Sequence, residues 1–399
     1  MEDRVSKIEE LLKNEKVEWK KLWEVTIWDK KFKGVDKHKL MKINKFHCYQ
    51  ANILESLASE TGTVKILTTN KSNIFADENK ELKIYEDEII CIPSGGNAII
   101  QYFNGRFITA DNRIATTYDP NKLSIKFLYY FLVKKIDLIA SYYRGAGIKH
   151  PDMAKILEID VPLPSLKTQE KIVKILDNFT NYVTELQAEL QARAKQYEYY
   201  RDLLLSEAYL NKLNLEEGGG QAELRLKDAC QIKRGRVISK TYLEQHNGKY
   251  PVYSSQTLNN GEIGKIDTYD YDGEFATWTT DGAYAGTVFY RNGKFSTTNI
   301  CGVISPKNSS KLLVKFLTYF LQTVTKEYVN DGSGNPKLMS NVISEIKIII
   351  PITKIQEKII NILDKFGYLV DETEGLLSKE IKQRQKQYEY YREKLLTFK

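Results

Sequence analysis

The 399-residue sequence is poor in the residues from which metal centres and catalytic sites are built. It contains four histidines, which are scattered and indicate no catalytic triad. No pair of its cysteines has the C-x-x-C spacing typical of a zinc site. We therefore expect buried thiols in a reducing compartment for all four, which are Cys48, Cys91, Cys230 and Cys301.

Long apolar runs are also missing. The longest runs, such as 348–350, are far too short to cross a bilayer. The opening segment, MEDRVSKIEELLKNEK, is charged and helical in pattern, unlike a signal peptide. We expect a soluble, cytoplasmic protein without a membrane partner.

The sequence lacks the motifs of nucleotide and cofactor sites. It has no G-x-x-x-x-G-K-[ST] loop, and no G-x-G-x-x-G follows a predicted strand. Asn335-Pro336 lacks the second proline and the aromatic residue of the amino-methyltransferase motif. Glu345-Ile346-Lys347 ends like many nuclease motifs, but no convincing metal carboxylate precedes it. We therefore predict no catalytic, cofactor-binding or metal-binding residue in this chain.

What is present is the composition of a folded protein. Hydrophobic residues make up 42% and charged residues 28% of the chain, which argues against general disorder. The length allows two or three domains. The net charge of +7 is compatible with a nucleic-acid partner, although many other proteins are equally basic.

The chain repeats itself. QEKIVKILDNF at 169–179 returns as QEKIINILDKF at 356–366, and QYEYYR at 196–201 returns at 387–392. Upstream, IKFLYYFL resembles VKFLTYFL, and NGRFIT resembles NGKFST. The repeat unit is therefore a globular domain followed by a helix, present twice.

Both helices carry the seam of a coiled coil. After Pro164 and again after Pro351, apolar residues recur at alternating steps of four and three. The second copy has four more residues, which predicts a stutter at Thr373, Leu377 and Ile381. The predicted seam residues are Leu176, Phe179, Val183, Leu186 and Tyr197 in the first helix, and Leu363, Phe366, Val370, Leu377 and Tyr388 in the second.

Two features of the helices have more than one interpretation. Arg193 and Arg384 occupy the same seam position, where an arginine either fixes the register or extends to the edge of the seam. The tyrosine-rich helix ends are either core or a docking surface for another protein. Core is the commoner role of such a stripe.

The remaining segments predict an α+β fold. Short strand patterns alternate with Asn-Gly and Asp-Gly turns, and amphipathic helices follow at 125–138 and 312–327. We divide the chain into a first globular domain at 1–160, a first helix at 161–212, a second domain at 213–349 and a second helix at 350–399.

Polar loops within the two domains are the candidate binding segments. Their hydroxyl, amide and basic side chains are the groups that read base edges and phosphates, although ordinary turn chemistry also uses them. The candidate DNA-binding residues are Ser94, Gly95, Asn97, Asn112, Arg113, Arg144 and Lys149 in the first domain, and Ser254, Ser255, Gln256, Thr279, Thr280, Asp281, Tyr284, Asn299, Ser333, Asn335 and Lys337 in the second.

Nearly the whole chain resembles the specificity (S) subunits of type I restriction-modification systems. The resemblance rests on the order of domain, helix, domain and helix. Locally it rests on PLPSLKTQEKIVKILD, on IPITKIQEKIINILD, and on the stretch from YPVYSSQ to YRNGKF. The first domain departs more from the pattern through residue 90, as expected where a different DNA sequence is read.

This resemblance implies a non-catalytic subunit. The two helices would pack antiparallel, each domain would read one half of a split site on double-stranded DNA, and the helices would set the gap. Two modification subunits would bind and use S-adenosylmethionine on adenine N6, and two restriction subunits using ATP and Mg²⁺ could join. None of these cofactors would bind this chain.

Three alternatives remain open at this point. A self-contained nuclease or methyltransferase would modify or cut DNA alone. A coiled-coil scaffold would show only weak, salt-sensitive DNA binding. A recombined allele would keep the family but lack working partners.

Overall fold

The computed structural model describes residues 12, 15–220, 222–332 and 334–398. The chain forms two compact units. One comprises Met1–Gln187 with Lys379–Lys399, and the other comprises Ala188–Ser378. Each unit contains one globular domain and a part of both long helices.

The first unit is built on a seven-stranded sheet in the order β2-β8-β6-β7-β4-β5-β3. Only β4 and β7 pair in parallel within it. Up to the first long helix, its elements are β1 (Glu18–Lys21), α1 (Leu22–Val25), β2 (Thr26–Trp28), a 3-10 helix (Lys37–Leu40), α2 (Ala51–Ser56), β3 (Ala58–Ser59), β4 (Val64–Leu67), β5 (Phe75–Ala76), β6 (Tyr85–Pro93), β7 (Gln101–Thr109), β8 (Asn112–Thr117), α3 (Ile125–Lys134), α4 (Ile136–Ser141), β9 (Tyr143–Arg144), β10 (His150–Pro151), α5 (Met153–Ile156), β11 (Asp160–Leu163) and the long helix α6 (Leu166–Leu204).

The second unit repeats this frame. Its six-stranded sheet has the order β13-β18-β16-β17-β14-β15, with β14 and β17 in parallel. Its further elements are α7 (Glu207–Glu216), β12 (Ala222–Arg225), α8 (Leu226–Ala229), β13 (Cys230–Arg234), α9 (Lys240–Gln245), β14 (Asn247–Tyr253), a 3-10 helix (Leu258–Gly261), β15 (Glu262–Ile266), β16 (Tyr271–Thr279), β17 (Val288–Thr297), β18 (Cys301–Pro306), α10 (Val314–Val324), a 3-10 helix (Thr325–Tyr328), α11 (Ser340–Ile343), β19 (Lys347–Ile350) and the long helix α12 (Thr353–Leu395).

The central hairpin of each sheet is strongly bent. In the second domain β16 pairs with β17 from Tyr271 to Trp278, so the end of β17 lies beside the start of β16. The next strand, β18, begins beside Thr279 at the opposite end of β16. Only the short connection 298–300 links β17 to β18, so the hairpin must bend. Opposed glycines with positive φ, Gly273 and Gly293, lie within the hairpin and tolerate this conformation. The bend therefore brings the two ends of the hairpin together.

A buried glutamine fixes the start of each long helix. The Gln169 amide nitrogen donates to the carbonyls of Lys122 (2.7 Å) and Pro164 (2.9 Å), and its oxygen accepts from the Ser124 N–H (2.9 Å). Gln356 makes the same three bonds in the second repeat, to Lys311, Pro351 and Leu313. Both side chains are fully buried. Each helix is thus tied to the chain that enters α3 or α10.

An aspartate about two turns further on holds the same two elements together. Asp177 accepts hydrogen bonds from Lys126 (2.7 Å) and Tyr130 (2.5 Å) on α3. Asp364 accepts the equivalent bonds from Lys315 and Tyr319 on α10, both at 2.6 Å. Burial and the hydrogen bond to the carboxylate raise the pKa of each tyrosine, so both stay protonated.

The helices pack antiparallel within each unit. In the first unit Phe179 of α6 stacks on Tyr391 near the end of α12, with ring centroids 5.1 Å apart. In the second unit Tyr197 of α6 meets Phe366 in the first half of α12 at 5.7 Å. The predicted α+β fold with an antiparallel coiled coil is therefore confirmed.

Burial along the helices follows the predicted seam spacing. Leu176 and Leu363 are fully buried, and the other predicted seam residues are half-buried. At the stutter, Thr373 and Leu377 are half-buried and Ile381 is buried. Arg193 and Arg384 each bind a glutamate one turn earlier, at 2.8 and 2.7 Å. Both guanidinium groups therefore lie at the edge of the seam.

The expectation of four buried thiols is wrong for one of them. Cys48 is exposed; it lies on the irregular segment before α2, beside Thr109 at the end of β7. Burial raises the pKa of Cys91, Cys230 and Cys301 to about 12, which makes these thiols unreactive. Within the described part of the chain, no helix is long and apolar enough to span a membrane.

The seam predicts a difference between two leucines of α12. Leu363→Ala removes a fully buried side chain and should cost about 2–5 kcal/mol of unfolding free energy. Leu369→Ala is the matched control, because Leu369 is 57% exposed and its loss should change that energy by less than about 0.5 kcal/mol. Denaturant unfolding measures both. Equal effects of the two substitutions would contradict the seam.

Candidate nucleic-acid interface

Hydrogen bonds join the loops at one face of the second domain. Thr298 N–H donates to the Tyr253 carbonyl (2.9 Å), and Thr280 N–H donates to the Ile300 carbonyl (3.2 Å). Arg236 N–H donates to the Thr297 carbonyl (3.2 Å). The loops that follow β13, β14, β16 and β17 therefore meet at one place, which we call the second loop face: 235–239, 254–261, 280–287 and 298–300.

A further segment is fastened across this face. Asn330 and Lys337 exchange backbone hydrogen bonds, which closes 330–337 into a hairpin. Gly282 N–H donates to the Pro336 carbonyl (3.0 Å), and Leu338 N–H donates to the Thr280 carbonyl (2.9 Å). The exposed side chains of Asn335 and Lys337 are thereby added to the second loop face.

Cations outnumber carboxylates around the turn after β16. The Asp281 carboxylate accepts from Thr280 Oγ1 (2.5 Å) and lies 3.4 Å from Arg234 and 3.9 Å from Lys337. One carboxylate thus faces two cations, so the net charge of this group of three side chains is positive. Such a surplus attracts phosphate.

The first domain has an equivalent face. Ser94 N–H donates to the Asp111 carbonyl (3.2 Å), and Ala110 N–H donates to the Leu67 carbonyl (2.9 Å). We call the segments 29–31, 68–74, 94–100 and 110–111 the first loop face. The hairpin 144–150 is fastened to it, because Gly96 N–H donates to the Lys149 carbonyl (2.8 Å), as Gly282 does to Pro336.

Asp111 of this face stays ionised. Partial burial acts to raise its pKa, but hydrogen bonds from Lys30 and Ser94 outweigh that effect and lower the pKa. The Lys30 ammonium lies 3.0 Å from Asp111 and 3.3 Å from Asp29. Lys31 and Lys71 of this face, together with Arg113, Arg144 and Lys149, supply further positive charge, and all of them except Arg113 are exposed.

The structure gathers the predicted DNA-binding residues of each domain on its loop face. The exposed residues are Asn97, Arg144, Lys149, Tyr284, Asn299, Asn335 and Lys337. The half-buried residues are Ser94, Gly95, Arg113, Ser255, Gln256 and Asp281. Ser333 lies outside the described residues. Direct contact with DNA stays a prediction for all of them.

Four predicted contact residues are buried and have partners inside their own domain: Asn112, Ser254, Thr279 and Thr280. The Asn112 amide donates to the Leu67 carbonyl (3.0 Å), and the hydroxyls of Ser254 and Thr298 lie 2.9 Å apart. Thr279 Oγ1 accepts from the Thr287 N–H (3.0 Å). Because these contacts tie the four buried side chains to their own domain, we expect them to hold the loops in place rather than to reach DNA.

Sequence reasoning missed several exposed or charged groups on these faces. Arg234 is the last residue of β13, and Lys30 and Arg236 each lie two residues after a strand, so the strand ends were the available signal. Asn259 and Asn260 adopt positive φ values of 50° and 54° at an exposed tip. Their Asn-Asn-Gly sequence indicates a turn but not its position on the loop face.

Comparison with known proteins identifies the family. Residues 38–196 and 220–383 each match the model of the type I restriction modification DNA specificity domain. Because the two matches cover most of the chain, it belongs to this family. The chain is a type I specificity subunit with two target-recognition domains.

Named relatives agree with this assignment. The chain is 43% identical over 246 residues to the putative type I specificity subunit S.MpnORF365P of Mycoplasma pneumoniae, over 62% of this chain and 89% of the relative. It is 42% identical over 206 residues to the type I restriction enzyme MpnII specificity subunit of the same organism, over 52% and 62%. The crystal structure of an S subunit from M. genitalium shares the fold, with a TM-score of 0.52, 19% identity and 97% coverage of both chains.

The fastened hairpin predicts a role for one lysine. Lys337→Met should weaken binding of the purified chain to a mixed-sequence duplex and should lower the salt slope by about 1, because one phosphate contact is lost. Lys347→Met is the control, since Lys347 lies in β19 and pairs with Glu223 at 2.7 Å. Fluorescence anisotropy across a salt series measures both slopes. An unchanged slope in Lys337→Met would remove this residue from the interface.

Proposed function

We propose that each domain reads one half of a split DNA site through its loop face. The observation that carries this proposal is the repetition of the face: both domains gather the loops after corresponding strands, and both fasten a hairpin across them by the same backbone bond. Two similar faces with different side chains suit the reading of two different half-sites.

The division of labour on each face follows from side-chain chemistry. Lysine and arginine, such as Lys149, Arg234 and Lys337, would bind phosphates and supply affinity without sequence preference. Amides and hydroxyls, such as Asn97 and Asn335, would bind base edges in the groove. The buried Asn112 and Thr279 would keep the reading loops in place.

The long helices would set the gap between the half-sites. A helix of 39 residues, the length of α6, extends roughly 60 Å at 1.5 Å per residue. At 3.4 Å per base pair, this length corresponds to about 18 base pairs. The ties at Gln169 and Gln356 support the proposal, because they fix each domain to its helix in the same way.

The chemistry of the complex would lie in other subunits. We propose that the chain is non-catalytic and binds two modification subunits, which methylate adenine N6 with S-adenosylmethionine, and that two restriction subunits using ATP and Mg²⁺ can join. A flipped adenine must be positioned accurately. A subunit that holds both half-sites would provide that position.

The first test is a map of N6-methyladenine in a methylation-free host that expresses the chain with its neighbouring modification subunit. We expect a new motif of two short half-sites around a fixed gap, found by long-read sequencing. A continuous motif would contradict the split-site proposal. If no motif appears, failure of the two chains to co-purify would favour the scaffold. Methylation or cleavage by the purified chain alone would overturn the non-catalytic assignment.

The second test exchanges one domain. Replacing 213–349 with the same segment of a relative should change one half of the methylated site and leave the other half and the gap unchanged, since each face reads alone. The reciprocal exchange of 1–160 is the matched control and should alter the opposite half. A change in both halves after either exchange would contradict independent reading.

A further inference from the structure

Arg291 of β17 is a buried cation behind the second loop face. Its side chain is 3% exposed, with the guanidinium carbon 3.6 Å from the Tyr253 ring centroid and 4.5 Å from that of Phe289. Nε donates to Thr277 Oγ1 (3.2 Å), and one terminal nitrogen donates to the Asn260 carbonyl (2.7 Å). The other terminal nitrogen is buried without a hydrogen-bond partner among the described residues. All its hydrogen-bond partners are thus neutral.

The equivalent position of the first domain holds an apolar residue. Phe103 pairs with Ile89 in β6 and β7 as Arg291 pairs with Phe275 in β16 and β17, and Asn-Gly follows both residues. Phe103 packs against the apolar cluster around Phe107. The repeated frame therefore does not require an arginine here, and burial without a counter-ion is unfavourable. A role specific to the second domain explains its presence.

Arg291 holds the tip of one reading loop. Asn260, whose carbonyl it binds, and Asn259 are consecutive residues with left-handed backbone conformation. Ser254 N–H donates to the Gly261 carbonyl (3.0 Å), which closes the loop behind them. A Cβ on Gly261 would lie 3.1 Å from the guanidinium, so glycine is needed for close approach. The backbone of the turn is bound inward, and the side chains of Asn259 and Asn260 remain exposed.

We propose that Arg291 is a positioning residue for DNA recognition by the second domain, and that it orients Asn259 and Asn260 to read adenine. The inference rests on the proposed function. A carboxamide offers one donor and one acceptor, which match N7 and the N6 amino group of adenine in the major groove. Two neighbouring carboxamides can bind adenine in a defined geometry only if the backbone of their turn is fixed. The Arg291 guanidinium fixes that backbone at the Asn260 carbonyl.

The test uses the full chain with its modification subunit and sequences the DNA selected from a random duplex library. The double variant Asn259→Gly with Asn260→Gly keeps the left-handed turn and removes both carboxamides. We expect preference for adenine at one or two positions of a single half-site to fall roughly 5- to 150-fold, the range for one bidentate contact. Asn292→Ala, an exposed asparagine beside Arg291 on the same strand, is the control and should leave both half-sites unchanged.

Arg291→Lys tests the positioning step. Lysine keeps the charge but lacks the planar fork, so preference should fall at the same positions while the other half-site is retained. A merely structural role would lower the melting temperature without a change at selected positions. Unchanged preference in the double glycine variant overturns the inference even if Arg291→Lys does not fold. Selection of no split site by the wild-type complex overturns the proposed function and this inference together.

Discussion

The buried glutamine at the start of each long helix is the contact on which the arrangement of each unit depends. Gln169 and Gln356 each bind one backbone N–H and two backbone carbonyls. An apolar side chain of the same size would remove all three hydrogen bonds at this partly buried site, which is costly. The entrance of α3 or α10, the preceding proline and the long helix are therefore held as one junction.

Duplication of this junction explains why the two halves share a frame but not a surface. The strand orders of the sheets correspond, and the aspartate ties of Asp177 and Asp364 are the same. On the loop faces the residues differ: Lys30 corresponds to Arg234, and Phe103 to Arg291. The junction and the bent hairpin fix the positions of the loops. The identities of the loop residues can therefore differ between the two domains.

Periodicity made the helices predictable from the sequence, recurring segments revealed the repeat, and strand patterns alternating with turns indicated the α+β class. A seam of steps of four and three is local, so Leu176 and Leu363 could be placed without knowledge of the rest. The loop faces were less predictable, because the parallel pairing of β14 with β17 brings Ser254 to Thr298 across 44 residues. Polarity alone could not distinguish exposed Asn335 from buried Thr280. The burial of Thr280 depends on its hydrogen bonds with the Arg234 and Asp281 side chains.

The division of the chain into units has a consequence for synthesis on the ribosome. The core of the first unit includes Tyr391, Leu395 and Leu396 beside Leu128 and Phe131, so the domain that emerges first is completed last. The second unit is continuous from Ala188 to Ser378 and needs no later residue. Until 379–398 have been made, the nascent first unit presents an open apolar groove to chaperones and proteases. A premature stop late in α12 would therefore damage the amino-terminal half of the protein.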